Sequence, residues 1–270
     1  MKKFRGLFFS LMIVALTLTL AACGNKNGAD SKEESFKSEL KNKDELTIGL
    51  EGTYAPYSYR KDGKLTGFEV EMGKAAAKKM GVKAKFVPGK WDSLIAGLGS
   101  QKQDVVINNI SETPERKKSY DFSKPYIYSH FALITPDDSS ISSLKDIKGK
   151  KFAEGTGTNN ERVAKKYKAE TVDSGDFAAT LSLIRKGRVD GTINSAEAWY
   201  SYEKKNSTKG LKFQDVNGEE KPVEIKAMFN KKTPNTRKEF NKAIQSLRKD
   251  GTLKKLSEKY FGKDITKPEE

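Results

Sequence analysis

Between positions 46 and 107 the chain alternates three short apolar runs with two stretches of helical apolar spacing, and this order constrains its fold more than any other feature. Residues 46–50, 84–87 and 104–107 read as strands; residues 68–80, stopped by Gly81, and residues 91–98 read as helices. A βαβαβ order implies a parallel sheet, because parallel neighbours need a crossover long enough to carry a helix. A second series follows: a strand from 151, helices at 159–167 and 178–186, a strand at 189–193 and a helix at 196–204. Residues 131–136 and 224–229 are strand-like pieces that link the two series, and helices at 236–249 and 252–260 close the chain. The expectation is two α/β lobes, each a mostly parallel sheet flanked by helices, joined by two hinge strands. The final helices return to the first lobe. Open sheets of this kind bind ligands outside the carboxyl ends of their strands, here between the lobes.

The loops after the strands are therefore the candidate site. Glu51-Gly52-Thr53-Tyr54-Ala55-Pro56-Tyr57 offers two tyrosine rings on a turn set by glycine and proline. Trp91 starts a helix beside the same cleft. In the third loop Thr113 precedes Pro114, an N-cap followed by a proline suited to the first helical position, and Arg116 on that first turn can meet a carboxylate with two parallel hydrogen bonds. Ser111 adds a hydroxyl. In the second lobe Gly155-Thr156-Gly157-Thr158-Asn159-Asn160 opens a helix, a second place for an anion, but it lacks the third glycine of a dinucleotide site and the Gly-Lys-Ser/Thr of a phosphate loop. Together these form a clamp for one small carboxylate.

The N-terminus carries an address. Lys2, Lys3 and Arg5 precede an apolar run from position 7 to 22, the layout of an export signal, and Leu20-Ala21-Ala22-Cys23-Gly24 resembles the lipobox of bacterial lipoproteins. That resemblance implies a signal peptide over 1–22, cleavage before Cys23, lipidation of Cys23 and a flexible tether over 23–43. No other stretch approaches the length of a spanning helix. One cysteine and one histidine exclude a disulfide within the chain and most metal sites; no cofactor is expected. The net charge is +15, but the lysines are scattered over every helix without interleaved aromatics, which argues against nucleic acid.

Several runs taken together resemble the polar amino-acid substrate-binding proteins of ABC importers: positions 48–57, 63–71 and 91–95, then Thr113-Pro114-Glu115-Arg116, positions 121–126, and the closing stretches 250–256 and 259–262. With the lipobox, the chain is similar to the membrane-anchored receptors of Gram-positive bacteria. Asn108-Asn109-Ile110-Ser111 and Gly157-Thr158-Asn159 look most like cystine-binding members. The resemblance implies a type II periplasmic-binding-protein-like fold, with lobe 1 from 44–133 plus 228–270 and lobe 2 from 134–227. It implies a monomeric capture subunit, not an enzyme, that delivers an amino acid, cystine foremost, to an ABC permease and its ATPase. Arg116 would hold the ligand α-carboxylate with Ser111 and Thr158. Tyr54 and Trp91 would sandwich the side chain, and Glu51, Asn109 and Asn159 would line the pocket. Members usually place an aspartate for the ligand ammonium where this chain has Ser195. Either Glu51 or Glu197 compensates, or neutral acceptors hold the amino group. Two other classes compete: a surface adhesin drawn to anionic polymers by its positive charge, and a lyase on the same scaffold.

Overall fold

The computed structural model describes residues 36–216 and 218–268. The signal peptide, Cys23 and most of the expected tether lie outside these residues. The first lobe begins with β1 (Glu45–Leu50), a hairpin of β2 (Tyr59–Lys61) and β3 (Lys64–Thr66), α1 (Phe68–Lys79), β4 (Lys83–Pro88), α2 (Trp91–Gly99), β5 (Val105–Val106), α3 (Pro114–Ser119) and β6 (Tyr120–Phe122). Then come β7 (Ile127–Ser129), β8 (Phe131–Thr135), β9 (Lys151–Glu154), α4 (Asn159–Lys166), β10 (Glu170–Asp173), α5 (Phe177–Arg185), β11 (Thr192–Ser195), α6 (Ala196–Glu203) and β12 (Lys212–Asp215). The chain returns through β13 (Val223–Ile225) and β14 (Met228–Asn230) to α7 (Pro234–Lys249) and α8 (Thr252–Phe261).

The first lobe is a five-stranded sheet in the order β4-β1-β5-β14-β6. β1 runs parallel to β4 and β5, as the βαβαβ pattern predicts, and β14 inserts antiparallel between β5 and β6. Leu46 and Ile48 on β1, Met72 and Ala76 on α1, and Phe240 and Ile244 on α7 bury one core. α1 can start where it does only because Gly67 precedes it at φ +126°, where a Cβ would stand 2.3 Å from the Tyr57 carbonyl oxygen. In the second lobe β8 is central, antiparallel to both β11 and β12, while β9 pairs parallel with β10. The two-lobed α/β expectation is met, but the sheets are mixed rather than mostly parallel. The returning strand β14 and the central β8 both run against their neighbours.

The hinge also differs from expectation. All five residues of β8 are buried, so it is an interior strand of the second lobe and not a linker. The connection is the antiparallel pair β7 and β13, with Ser129 opposite Val223 and Ile127 opposite Ile225. This pair, at 127–129 and 223–225, lies a few residues before the lobe boundaries expected at 133/134 and 227/228. The strand expected at 189–193 is β11, three residues later.

The folded part does not start near Asp44. Phe36 and Leu40 are buried in the first lobe's core. Glu39 accepts hydrogen bonds from the backbone N–H groups of Asn235 and Thr236, capping the start of α7. The buried Asp104 carboxylate accepts the N–H of Lys41 and of Thr47, each at 2.7 Å, tying the segment to β1. Low apolar content hid this clasp, because two apolar residues four apart suffice for one turn packed on a core. Replacing Phe36 by Ala should therefore lower unfolding stability by about 3 kcal/mol, measured by urea denaturation. An effect near zero would mean that the segment is a tether after all.

Candidate functional site

The loops after β1, β4 and β5 meet those after β9, β10 and β11 around a cleft of about 800 Å³. The loop after β1 delivers Glu51 and Tyr54, the first residue of α2 is Trp91, and the loop after β5 delivers Asn108, Asn109 and Ser111. Thr113 caps α3 through its Oγ1, which accepts from the Arg116 N–H at 3.3 Å, with Pro114 at the first helical position as expected. This fixes Arg116 on the cleft side. From the second lobe come Thr158 and Asn159 at the start of α4, Asp176 and Phe177 at the start of α5, and Asn194 near the end of β11. Thr158 and Asp176 are themselves N-caps, accepting from the N–H groups of Glu161 and Ala179.

Arg116 bridges the lobes. Its Nη1 donates to the Ser111 carbonyl and its Nη2 to the Gly157 carbonyl, both at 2.8 Å, and its Cζ lies 4.9 Å from the Trp91 ring centre. Burial lowers its pKa to about 10, so it stays cationic at neutral pH, and among the described residues no carboxylate pairs with it. Tyr54 donates its hydroxyl to Asn194 Oδ1 across the cleft. Deeper in, the Tyr57 hydroxyl reaches Ser195 Oγ at 3.1 Å and Glu197 Oε2 at 3.4 Å, and Ser129 of the hinge donates to the same carboxylate at 2.7 Å. The lobes are thus closed on one another.

Two acceptors among the first-lobe residues that line the cleft are left without partners: the hydroxyl oxygen of Ser111, itself buried, and Oδ1 of Asn109. Asn109 adopts the left-handed conformation, φ +47°. Its neighbour Asn108 donates Nδ2 to Glu51 Oε2 and accepts the Glu51 N–H, so the asparagine pair is pinned to β1. Burial raises the pKa of the Glu51 carboxyl; the hydrogen bond from Asn108 opposes this, and the field of Asp176 across the cleft adds to it.

Glu51, Tyr54, Trp91, Asn109, Ser111, Arg116, Thr158 and Asn159 come together around the cleft. Ser195 does not line it: its Oγ accepts from the Ala198 N–H as the N-cap of α6, and Asn194, one residue earlier, faces the cleft instead. Tyr57, expected to offer a ring to the ligand, is fully buried among Tyr54 and Phe261. Glu197 is buried behind the cleft with Tyr57 and Ser129, so it does not replace the aspartate there. Asp176 and Phe177 were missed because the polar run Glu170–Asp173 hides the strand β10, and the sheet rule would have placed the loop after it at the cleft.

The sequence pattern of the bacterial extracellular solute-binding proteins, family 3, matches residues 46–263. The chain is 37% identical to the L-cystine-binding protein TcyA of Bacillus subtilis, over 96% of this chain and 98% of that one. Among solved structures, the L-cystine solute receptor of Neisseria gonorrhoeae in its unliganded open conformation is 40% identical, with a TM-score of 0.56 over 87% of this chain and 98% of the receptor. An ancestral arginine-binding protein bound to arginine is 34% identical, with a TM-score of 0.74 over 81% and 99%. The fold is type II periplasmic-binding-protein-like. The poorer superposition on the more similar but open receptor is what a different lobe angle produces.

Closure rests partly on the Tyr57 hydroxyl. Tyr57→Phe should destabilise the closed form by about 1 kcal/mol, which X-ray scattering would register as a larger mean radius of gyration. Scattering identical to wild type would show that the other bridges suffice.

Proposed function

The chain belongs to the bacterial extracellular solute-binding proteins of family 3 and is the solute-binding protein of an amino-acid ABC importer; we propose that its ligand is L-cystine. The observation that carries this reading is the half-buried Arg116 guanidinium at the cleft, which has carbonyl oxygens but no carboxylate among its described partners. A cation partly withdrawn from water favours an anion beside it, and a ligand α-carboxylate can supply one with two charge-assisted bonds. Ser111 Oγ and Thr158 add donors beside it, and Tyr54 and Trp91 supply apolar faces for the side chain. Cystine carries a carboxylate and an ammonium at each end. The cleft carries both signs, with Lys90 and Arg116 on one side of the balance and Glu51, Asp92, Glu154, Asp173 and Asp176 on the other. The relatives named for L-cystine support the same choice.

On this reading the protein is a monomer that closes on its ligand, opens to the permease and performs no covalent chemistry. It sits on the outer face of the cell membrane, held by a lipid on Cys23. Calorimetric titration with L-cystine, cysteine and the other common amino acids should give saturable binding for L-cystine in preference to the rest. Arg116→Ala should weaken it by about 2 to 5 kcal/mol, tens- to thousands-fold in Kd. Preferred binding of another amino acid would replace cystine while keeping the clamp; unchanged affinity in Arg116→Ala would remove the clamp itself. Cys23→Ser in the native host should move the protein from the membrane fraction to the medium, and retention of the variant at the membrane would refute the lipid anchor.

A further inference from the structure

Glu69 lies outside the cleft, on the first turn of α1, and is fully buried. Its Oε1 accepts the backbone N–H of Asn109 at 2.6 Å and the hydroxyl of Tyr126, while its Oε2 has no hydrogen-bonding partner. The residue it grips is the one non-glycine in the cleft loops with a left-handed backbone, and the Oδ1 of that residue, like Ser111 Oγ, has no hydrogen-bonding partner. A left-handed asparagine is tolerated but not preferred, so something must hold it. The grip comes from a carboxylate that folding has taken out of water, a position that needs a specific compensation.

We propose that Glu69 is the positioning residue that sets the affinity of the cleft for a ligand's ammonium group: by its bond to the backbone N–H it locks the Asn109 turn at the cleft wall, and its buried charge is the one that the ammonium answers through Asn109. This rests on the amino-acid reading above. Ser195 caps α6 through its hydroxyl and so offers the ammonium no charge of its own. Glu51 is a second carboxylate on the same loops, pinned by Asn108, so the asparagine pair is held between two acids.

The coupling has a sign. Burial raises the Glu69 carboxyl to about 7, against the lowering effect of its bonds from Tyr126 and Asn109 and with a further rise from Glu51. The titratable groups facing it are Tyr126, from the turn between β6 and β7, and Glu51, after β1; Tyr57 stands behind Tyr126, and the phenols of both tyrosines are held neutral by burial. A cation beside Asn109 favours the ionised carboxyl, so binding releases a proton and affinity falls as pH drops through 7.

The test is calorimetry of the full chain with L-cystine and, in parallel, L-arginine and L-glutamine as probes, at pH 6 and pH 8 and in two buffers of different ionisation enthalpy. In wild type, Kd should weaken about tenfold from pH 8 to pH 6, with close to one proton released at pH 6. In Glu69→Gln, which can still accept from Asn109 and Tyr126, affinity should be weaker at pH 8 and its change between the two pH values largely gone. In Glu51→Gln that change should persist. A wild-type Kd that is flat with pH, or a Glu69→Gln profile that follows wild type, overturns the proposal. If none of the probes binds, the amino-acid reading fails, and Glu69 is decided separately by NMR of the ligand-free protein. An Asn109 amide resonance that titrates near pH 7 in wild type and not in Glu69→Gln supports the lock, and one that does not titrate overturns it.

Discussion

The guanidinium of Arg116 is the point at which both lobes are forced to meet. It lies half-buried where the lobes meet, and a charge partly withdrawn from water gains from partners of opposite sign or strong acceptors. Two carbonyls, one from each lobe, and the face of Trp91 receive it. Carbonyl dipoles orient the group without neutralising it, so the cleft keeps an unanswered positive charge. The rest of the architecture follows from presenting that charge: the N-cap at Thr113 that aims the helix, the loop of Asn108 to Ser111 beside it, and the glycine turn before α4 that brings the Gly157 carbonyl within reach.

Closure and binding are therefore one balance of polar contacts. Tyr54 with Asn194, Tyr57 with Ser195 and Glu197, and Arg116 with Gly157 all join groups from opposite lobes. Each such bond contributes modestly, because opening exchanges it for water. The hinge pair β7 and β13 holds the lobes on two short strands, a connection that allows rotation while each lobe keeps a core of its own. Ser129, on one of those strands, bonds to Glu197 and so links the hinge to the closure network directly.

Much of the fold was legible because hydrophobic period and turn chemistry are local. The parallel core of β1, β4 and β5, the start of α3 at Thr113-Pro114 and most of the residues around the cleft follow from spacing and from the rule that sites lie at strand ends. The misses share a cause. β10 is polar and lies at a sheet edge, so it carries no apolar run; β8 is apolar from Phe131 to Ile134, which suits an interior strand as well as a linker. Phe36 and Leu40 are two isolated apolar residues in a charged stretch, and only the core they enter shows that they belong to the fold.

The sequence by itself determined the α/β class, the order of the elements and the residue types offered by the loops, since each of these depends on neighbours within a few positions. Tertiary structure alone decided which of two adjacent residues faces the cleft. Asn194 lines it while Ser195 turns to cap α6, because successive strand residues point to opposite faces and the register is set by β8 on the far side of the chain. It alone also placed Glu69 beneath Asn109, forty positions away, and no local pattern announces a carboxylate buried to hold a turn.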